Sequence, residues 1–278
     1  MRFLIFGDLH GAIPDIKVKQ FDAVIATGDF CSNDLMKDMF AALRNKMDDE
    51  SSKSWYDAIG RRIARKKVKK SLADGRRVLE FLNSLEVPVY VVPGNWDWTA
   101  EPDHRWTFLR RNHYASLLRG LSNIHDVHRR TARTGCCSII GYGISSGPEL
   151  PLEGIFTEEE WNELHQDYRQ LKRKYTARFK RAKDPVIFLS HNVPFSTPLD
   201  IIRNPESPRH GEHMGSLLVR ELCEQQQPLV CIAGHMHEHF KKTRIDETVA
   251  LNAGAGPGRN IVLEIEDGKI QLLRFLRK

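Results

Sequence analysis

Short apolar runs that end in a glycine or a polar residue recur along the whole chain. They are rich in β-branched residues and nearly continuous, which is typical of strands that are covered on both faces. This pattern predicts strands within residues 2–8, 22–29, 88–95, 137–143, 185–191, 228–235 and 248–254. The stretch 261–276 instead alternates apolar and polar positions around Asp267-Gly268, a dipeptide that favours tight turns. It predicts a hairpin that closes the edge of a sheet.

Helical periodicity fills the gaps between the predicted strands. Residues 32–47 place apolar side chains at every fourth position after a capping-type Ser32 or Asn33. Residues 55–85 predict one long helix, or two helices with the break near Gly75.

The clearest helical start lies at Thr157, which forms a capping-box pattern with Glu160. The apolar positions from 161 to 175 then follow at spacings of three and four, which indicates a packed helix face. We interpret the chain as a single domain of residues 1–278 with helical additions at 34–82 and 153–183.

The charge is distributed unevenly along the chain, whose net charge is +6. Residues 61–77 contain nine Lys or Arg and one acidic residue, and residues 169–183 contain eight Lys or Arg and no acidic residue. Solvated helix faces are the favoured interpretation of both segments. The alternative is a positive rim that attracts substrates bearing phosphate.

Cysteine usage and hydropathy narrow the class of protein. Five cysteines without a CxxC pair argue against a disulfide framework and against a cysteine-based zinc site. No apolar run is long enough to cross a bilayer, and the N-terminus lacks the long apolar region of a signal peptide. We therefore expect a cytoplasmic protein with no membrane partner.

Polar residues that can hold a cation follow five of the predicted strands. Ligands collect at the carboxyl ends of strands in α/β sheets, and preceding glycines suit tight turns where the backbone leaves the sheet. Any one such residue is more often a turn or cap residue, but chance is a poor explanation of the whole set. The candidate metal ligands are Asp8, His10, Asp29, Asn95, His191, His235 and His237.

This set combines carboxylate or amide oxygens with imidazole nitrogens. Such ligands suit the divalent ions of manganese, iron, cobalt, nickel and zinc, among which we favour manganese. Because one ion rarely needs seven protein ligands, the set predicts two ions that share a carboxylate. Two such ions can clamp a phosphate and activate a bridging water, as hydroxide, for in-line attack.

In these residues the chain resembles the calcineurin-like metallophosphoesterases, from residue 1 to about residue 255. The ordered blocks are specific together, although each is weak alone. They read Asp8-Leu9-His10, Gly28-Asp29, Gly94-Asn95-Trp96-Asp97, His191 and Gly234-His235-Met236-His237. The small single-domain phosphodiesterase-like branch is the most similar one.

The resemblance implies the fold and the division of the ligands. The fold is an α/β four-layer αββα sandwich, in which two facing mixed β-sheets are flanked by helices and extra helices could form a cap. By position, one ion would be held by Asp8, His10 and His237, and the other by Asn95, His191 and His235, with Asp29 as the bridge.

In many members of the family a His follows the Asn and donates a proton to the leaving oxygen or stabilises the phosphate, and the block at residues 94–97 departs from this pattern. Trp96 stands there instead, and an indole N–H can donate a hydrogen bond but is not a general acid. Without that partner, Asp97 is interpreted as a cap of the next helix or turn. Since general acid catalysis typically contributes ~10²–10⁴-fold, we expect a substitute donor, a good leaving group or a slow enzyme. His210 and His213 are candidate donors, and His213 is preferred.

These observations support a dinuclear metal-dependent phosphoester hydrolase with Asn95 and His213 as candidate catalytic residues. The leading hypothesis is a phosphodiesterase that acts on a nucleotide-like or small organic phosphate. One alternative is a phosphomonoesterase, or a nuclease whose basic segments 61–77 and 169–183 track a nucleic acid. Another is a catalytically weakened metal-binding scaffold, which is disfavoured because all seven ligand positions are filled. A homo-oligomer formed through the aromatic residues of 161–175 is also open.

Overall fold

Two six-stranded sheets packed face to face form the centre of the structure. The computed structural model describes residues 1–49, 51–101, 104–144, 146–150, 156–205, 207 and 209–277. The first sheet contains β1 (Arg2–Phe6), β2 (Ala23–Ala26), β3 (Val89–Val91), β4 (Ile124–Asp126), β11 (Asn260–Glu266) and β12 (Lys269–Leu276), in the order β12-β11-β1-β2-β3-β4.

The second sheet has the same number of strands and is also mixed. It contains β5 (Thr131–Arg133), β6 (Ser138–Tyr142), β7 (Val186–Ser190), β8 (Val230–Ala233), β9 (Lys241–Ile245) and β10 (Thr248–Asn252), in the order β5-β6-β7-β8-β10-β9. In the first sheet β1 to β4 pair in parallel, and β11 and β12 continue the sheet in antiparallel pairs beside β1. In the second sheet β6, β7, β8 and β10 pair in parallel, and the edge strands β5 and β9 are antiparallel.

Every predicted strand is present, and so is the C-terminal hairpin, which turns at Asp267-Gly268 between β11 and β12. The sequence pattern missed β4, β5 and β9. These strands are short or lie at an edge, and their polar side chains lack the continuous apolar run that marks a doubly covered strand.

The apolar runs of the strands are continuous because each face of each sheet is covered. In β1, Phe3 and Ile5 point into the core between the two sheets, while Leu4 and Phe6 point to the outer face of the first sheet. All four side chains are fully buried. At about 25 cal/mol per Å² of apolar surface, burial on both faces makes these strands a large share of the hydrophobic stabilisation.

Helices cover the outer face of each sheet. They are α1 (Met36–Asp48), α2 (Trp55–Ala58), α3 (Arg61–Asn83), α4 (His113–Leu117), α5 (Glu158–Arg181) and α6 (Leu217–Gln226), with a 3₁₀ helix at Thr107–Arg110. α3 and α4 pack on the first sheet, and α5 and α6 pack on the second. The layers are thus helix, sheet, sheet and helix, which confirms the predicted fold class.

The helix boundaries correct the prediction in two places. α1 begins at Met36 after Leu35, so neither Ser32 nor Asn33 caps it. The break between α2 and α3 falls at Gly60, whose φ is +85°, and α3 continues through Gly75. Gly75 is needed for packing instead, because a Cβ there would lie 2.5 Å from the Sγ of Cys31. The capping box of Thr157 and Glu160 is formed as predicted at the start of α5.

None of the helices in the described part of the chain is both long and apolar enough to span a membrane.

Candidate metal centre

The carboxyl ends of parallel strands from both sheets meet at one edge of the sandwich. Loops after β1, β2 and β3 carry the candidate ligands of the first sheet, and loops after β7 and β8 carry those of the second. The backbone N–H of His235 donates to Oδ2 of Asp8 at 2.9 Å, and Nδ1 of His191 donates to the carbonyl of Thr27 at 2.8 Å. These contacts join the two sheets at the site.

All seven candidate ligands converge there, in two groups. The ligand atoms of Asp8, His10, Asp29 and His237 lie within 4.8 Å of one another, and so do those of Asp29, His191 and His235. Asn95 joins the second group, since its Oδ1 lies 2.9 Å from Nε2 of His191.

Asp29 belongs to both groups. Its Oδ2 lies 3.7 Å from Nε2 of His10 and 3.6 Å from Nε2 of His191, so one carboxylate oxygen faces an imidazole of each group. Its other oxygen, Oδ1, accepts the backbone N–H of Trp96 at 2.7 Å. The shared carboxylate is therefore held in place by the loop that also carries Asn95.

The histidine tautomers leave lone pairs directed at the centre. Nδ1 of His10 lies 3.2 Å from the carbonyl of Cys31, and Nδ1 of His191 contacts the carbonyl of Thr27. A carbonyl only accepts, so each Nδ1 carries the hydrogen and each Nε2 is free to bind a metal. Nε2 of His10 lies 3.0 Å from Nε2 of His237, an approach that a shared cation accommodates.

Three buried carboxyl groups crowd the centre. Asp8, Asp29 and Asp97 are at most 1% exposed. Burial, together with the charges of Asp8 and Asp97, raises the pKa of Asp29 well above its usual value. Burial also opposes ionisation of Asp8, but the hydrogen bond to His237 and the nearby imidazoles lower its pKa overall. Bound cations relieve this crowding of carboxylates, so the residues fit divalent metal ions.

The imidazoles differ in how readily a proton competes with a metal. Burial lowers the pKa of His10 to about 4 and that of His235 to about 3, and it also lowers the pKa of His191. These three rings are neutral at neutral pH, as metal ligation requires. His237 has a side chain that is 40% exposed, and although burial lowers its pKa, the hydrogen bond to Asp8 raises it overall.

The backbone at three candidate ligands is in the left-handed region. The φ angles of His10, Asp29 and His235 are +44°, +54° and +64°. Such conformations cost roughly 1–3 kcal/mol each for non-glycine residues and cluster at functional sites. Gly234 permits a further close approach, because a Cβ there would lie 2.3 Å from Oδ1 of Asp8.

Asp97 has a different role from the cap that we expected. Its carboxylate accepts four backbone N–H groups, from Asp29, Phe30 and Cys31 at 2.8, 2.8 and 3.1 Å and from Gly94 at 2.8 Å. Burial raises the pKa of Asp97 to about 6, and the four N–H donors oppose that rise. Asp97 thus ties the loop after β2 to the loop after β3, whether or not a histidine precedes it.

Trp96 lies beside the centre without replacing the missing acid. Its indole is half-buried and stands edge-on to His10, with ring centroids 6.5 Å apart. Its backbone N–H is the group that holds Asp29. The position therefore supports the shared carboxylate through its main chain, independently of its side chain.

His213 forms a dyad with a buried carboxylate. Its Nδ1 lies 2.7 Å from Oδ1 of Asp200, which is fully buried and also accepts the backbone N–H of Gly215 at 3.0 Å. The same loop is attached next to His191, since the side chain of Asn192 donates to the carbonyl of Met214 at 2.9 Å. By contrast, the other candidate donor, His210, is exposed.

Sequence reasoning missed Thr27 and Asp200. Thr27 is fully buried; its hydroxyl donates to Oδ1 of Asp8 at 3.3 Å, and its carbonyl fixes the tautomer of His191. Thr27 directly precedes the Gly28-Asp29 block, but no residue pattern shows which groups a backbone carbonyl will meet. Asp200 carries no motif at all, and only its contact with His213 reveals it.

Comparison with known families gives one match. The family model described as calcineurin-like phosphoesterase matches residues 1–239, a range that contains all seven candidate ligands. No curated protein sequence matches the chain.

Solved structures share the fold at low sequence identity. One has a TM-score of 0.61 at 17% identity, covering 99% of this chain and 98% of its own. The protein TT1561 of Thermus thermophilus has a TM-score of 0.51 at 15% identity, covering 99% of this chain and 98% of its own. The phosphopantetheinyl hydrolase PptH of Mycobacterium tuberculosis has a TM-score of 0.50 at 14% identity, covering 92% of this chain and 89% of its own.

Proposed function

The chain belongs to the calcineurin-like phosphoesterase family of metal-dependent hydrolases, and from that membership we propose that it is a dinuclear phosphodiesterase. Its substrate would be a nucleotide-like or small organic phosphate. The observation that carries the proposal is Asp29, whose one carboxylate oxygen faces both groups of ligand atoms. A shared carboxylate suits two ions that lie about 3.5–4 Å apart.

The two ions would divide the remaining ligands between them. Two divalent ions, with manganese favoured, would stabilise the charge of the phosphate and activate a water molecule for attack. One ion would be held by Asp8, His10 and His237 and the other by Asn95, His191 and His235.

Asn95 would also contact the substrate. Its side chain is exposed, whereas His191 beside it is fully buried. If the amide oxygen of Asn95 faces the metal, its NH₂ group remains free to donate to a phosphate oxygen. This donor would favour the charge that develops on the phosphate during attack.

His213 would supply the proton that Trp96 cannot. Asp200 accepts from Nδ1 of His213 and orients the ring, and the protonated ring would donate from Nε2 to the leaving oxygen. The side chain of His213 is 35% exposed and lies on the loop that is attached next to His191, so it would be accessible to a bound substrate.

Hydrolysis of a bis-aryl phosphate and of the matching mono-aryl phosphate tests the proposal across several metals. We expect about two ions per chain and faster hydrolysis of the diester. His235→Ala should abolish nearly all activity, and His210→Ala, an exposed histidine outside the centre, serves as the matched control. Full activity of His235→Ala, or failure to bind manganese, would refute the enzyme centre. Preference for the monoester would favour the phosphomonoesterase alternative.

The role of His213 has its own test. His213→Gln should slow hydrolysis of diesters with poor leaving groups by roughly 10²-fold, and should change hydrolysis of activated aryl diesters little. An equal loss on both substrates would show that His213 does not protonate the leaving group.

We further propose that residues 1–278 form a single domain with helical additions at 34–82 and 153–183. The support is that β1 at the start of the chain pairs with β11 near its end. Phe156 and Trp161 are exposed near the start of α5 and would be the contact of a homo-oligomer. Light scattering of the wild type and of Trp161→Ala would test that pairing.

A further inference from the structure

The beginning of α3 presents a stripe of exposed cations. Arg62, Arg65, Lys66 and Lys69 follow one another at helical spacing, and we name these four residues the α3 cation stripe. Among the described residues, no carboxylate pairs with any of them. The other cations of α3 do have acidic partners: Arg61 pairs with Asp57, Lys67 with Asp38, Lys70 with Asp34 and Asp74, Arg76 with Glu80, and Arg77 with Asp74.

The α3 cation stripe works against the stability of its own helix. It lies in the N-terminal half of α3, and the first turn contains no acidic residue. A positive charge in the first turn, such as that of Arg62, is unfavourable because it opposes the macrodipole. Like charges four residues apart, such as Arg62 and Lys66 or Arg65 and Lys69, also repel each other. Folding of the helix therefore does not explain the stripe.

The basic segment of α5 has the opposite arrangement. Acidic residues Glu158, Glu159 and Glu160 occupy its first turn, and Arg178, Lys180 and Arg181 occupy its last turn. These charges complement the macrodipole at both ends. The last-turn cations of α5 thus have a role in helix stability that the α3 cation stripe lacks.

Aromatic and basic residues lie next to the stripe. Trp106 lines the same surface cavity as the stripe residues but is only 7% exposed, and the guanidinium of Arg65 lies 5.0 Å from the ring centroid of the half-buried Phe108. Exposed arginines flank these rings along the chain, namely Arg105, Arg110 and Arg111. Proteins that bind single-stranded nucleic acids combine cationic tracks with aromatic and guanidinium surfaces for the bases.

The C-terminal end of the stripe lies near the metal centre along the helix axis. Lys69 precedes Asp74 by five residues, which is about 8 Å along the helix axis. A Cβ on Gly11, next to His10, would lie 2.9 Å from the side chain of Asp74, and Arg77 donates to the carbonyl of Gly11 at 2.9 Å. The C-terminal end of the stripe is therefore one to two helical turns from the loop that carries His10.

We propose that the α3 cation stripe binds the phosphate backbone of a single-stranded nucleic acid and directs it toward the metal centre. The proposal rests on the proposed function, because it names the diester that the centre would receive. The stripe is a single row of cations, which suits the phosphate backbone of one strand. A bilayer would need an apolar face, and Ile63 is the sole exposed apolar side chain in the described residues 61–69.

Salt-dependent binding tests the proposal. The full chain in EDTA, which prevents cleavage, is titrated with a fluorescent single strand of roughly 12 nucleotides, as RNA and as DNA. Four phosphate contacts predict a slope of log K against log salt of about −3. The variant R62Q/K66Q/K69Q should reduce that slope by about 2 and weaken binding at least tenfold. The matched variant R169Q/R173Q/K180Q on α5 should change neither.

Other outcomes would overturn the proposal. Equal weakening by both triple variants would show that net charge alone attracts the strand, and no weakening by the α3 variant would remove the stripe from the interface. Binding of the chain to phosphatidylserine vesicles but not to the strand would assign the stripe to a membrane. Thermal unfolding checks the physical premise: the α3 variant should melt no lower than the wild type, and a lower melting temperature would show that the stripe stabilises the fold.

The two proposals fail separately. Hydrolysis of the bis-aryl diester by the wild type without strand binding would refute the stripe and keep the phosphodiesterase. Strand binding without hydrolysis of any diester would refute the phosphodiesterase and keep the interface.

Discussion

The two sheets contribute different chemistry to the candidate metal centre. The first sheet supplies the candidate oxygen ligands and one imidazole, and the second supplies imidazoles alone. The first set is Asp8, His10, Asp29 and Asn95, and the second is His191, His235 and His237. Negative charge thus comes from one side, and most of the nitrogen ligands come from the other. The comparison shows that neither sheet carries a complete site, since the centre forms only where their carboxyl ends meet.

The two sides also differ in how their loops are held. Asp97 ties the loops of the first sheet together through four backbone N–H groups. The histidines of the second sheet are instead oriented by groups of the first, because Thr27 accepts from His191 and Asp8 accepts from the backbone of His235. Groups of the first sheet therefore orient the histidines of the second sheet.

Loss of the shared carboxylate should have the largest effect. Asp29→Asn removes a negative charge that both ligand groups use, so we expect fewer than two ions per chain and a loss in kcat/KM of roughly 10³-fold, or about 4 kcal/mol. Elemental analysis and diester kinetics measure both quantities. Asp267→Asn, in the distant hairpin turn, is the control. Retention of both ions by Asp29→Asn would contradict the bridging role.

Loss of the hydrogen bonds that Asp97 accepts should reduce the stability of the protein. Asp97→Ala leaves four buried N–H groups without an acceptor, and we expect a loss of about 3 kcal/mol or more in the free energy of unfolding. Asp97→Asn keeps an acceptor oxygen and should lose less. Urea denaturation without added metal provides the measurement. A change of under about 1 kcal/mol for the alanine variant would show that the loops of the first sheet do not depend on Asp97.

Restoration of an acid on the first sheet should have a moderate effect. Trp96→His should raise turnover of diesters with poor leaving groups about tenfold, which is below the usual range of general acid catalysis because Asp97 is already occupied by backbone donors. Trp96→Phe tests the loss of the indole alone. If Trp96→His gives no gain while His213→Gln loses activity, the proton already comes from the second sheet.

The smallest effect concerns the connection between β4 of the first sheet and β5 of the second. His128 lies between β4 and β5, and its Nδ1 accepts the backbone N–H of Gly143 at 2.9 Å. Burial, followed by the charges of Arg129 and Arg130, lowers the pKa of His128 to about 4. Because its folded pKa lies below the unfolded value of about 6.5, its contribution is complete above that value and is lost as the pH falls toward 4.

His128→Gln keeps an acceptor for Gly143 but does not titrate. Between pH 7 and pH 5 the wild type should therefore lose about 1 kcal/mol more stability than the variant, after allowance for partial exposure of the ring. Urea denaturation at the two pH values makes the comparison. An equal loss of stability in the wild type and the variant would show that protonation of His128 does not weaken the connection between β4 and β5.

Local signals in the sequence were sufficient for the strands and for the candidate ligands. A doubly covered strand needs a continuous apolar run, and a chain that leaves the sheet in a tight turn needs glycine, so β1, β2 and β3 and the residues after them are visible in order. The polar strands β5 and β9 were missed because an edge strand has no such run. The break at Gly60 was misplaced because Gly75 looks like a break but is a packing position.

The sequence by itself determined which residue types stand at the strand ends and in what order, because strand formation and turns depend on nearby residues. Only the tertiary structure decided which of them meet: Nε2 of His10 and Nε2 of His237 are 227 positions apart in the chain and 3.0 Å apart in space. It also separated two basic segments that look alike as sequence. Whether a cation opposes or complements the macrodipole of its helix depends on where the helix ends and on which carboxylates pack beside it. The number of charges in a segment gives neither piece of information.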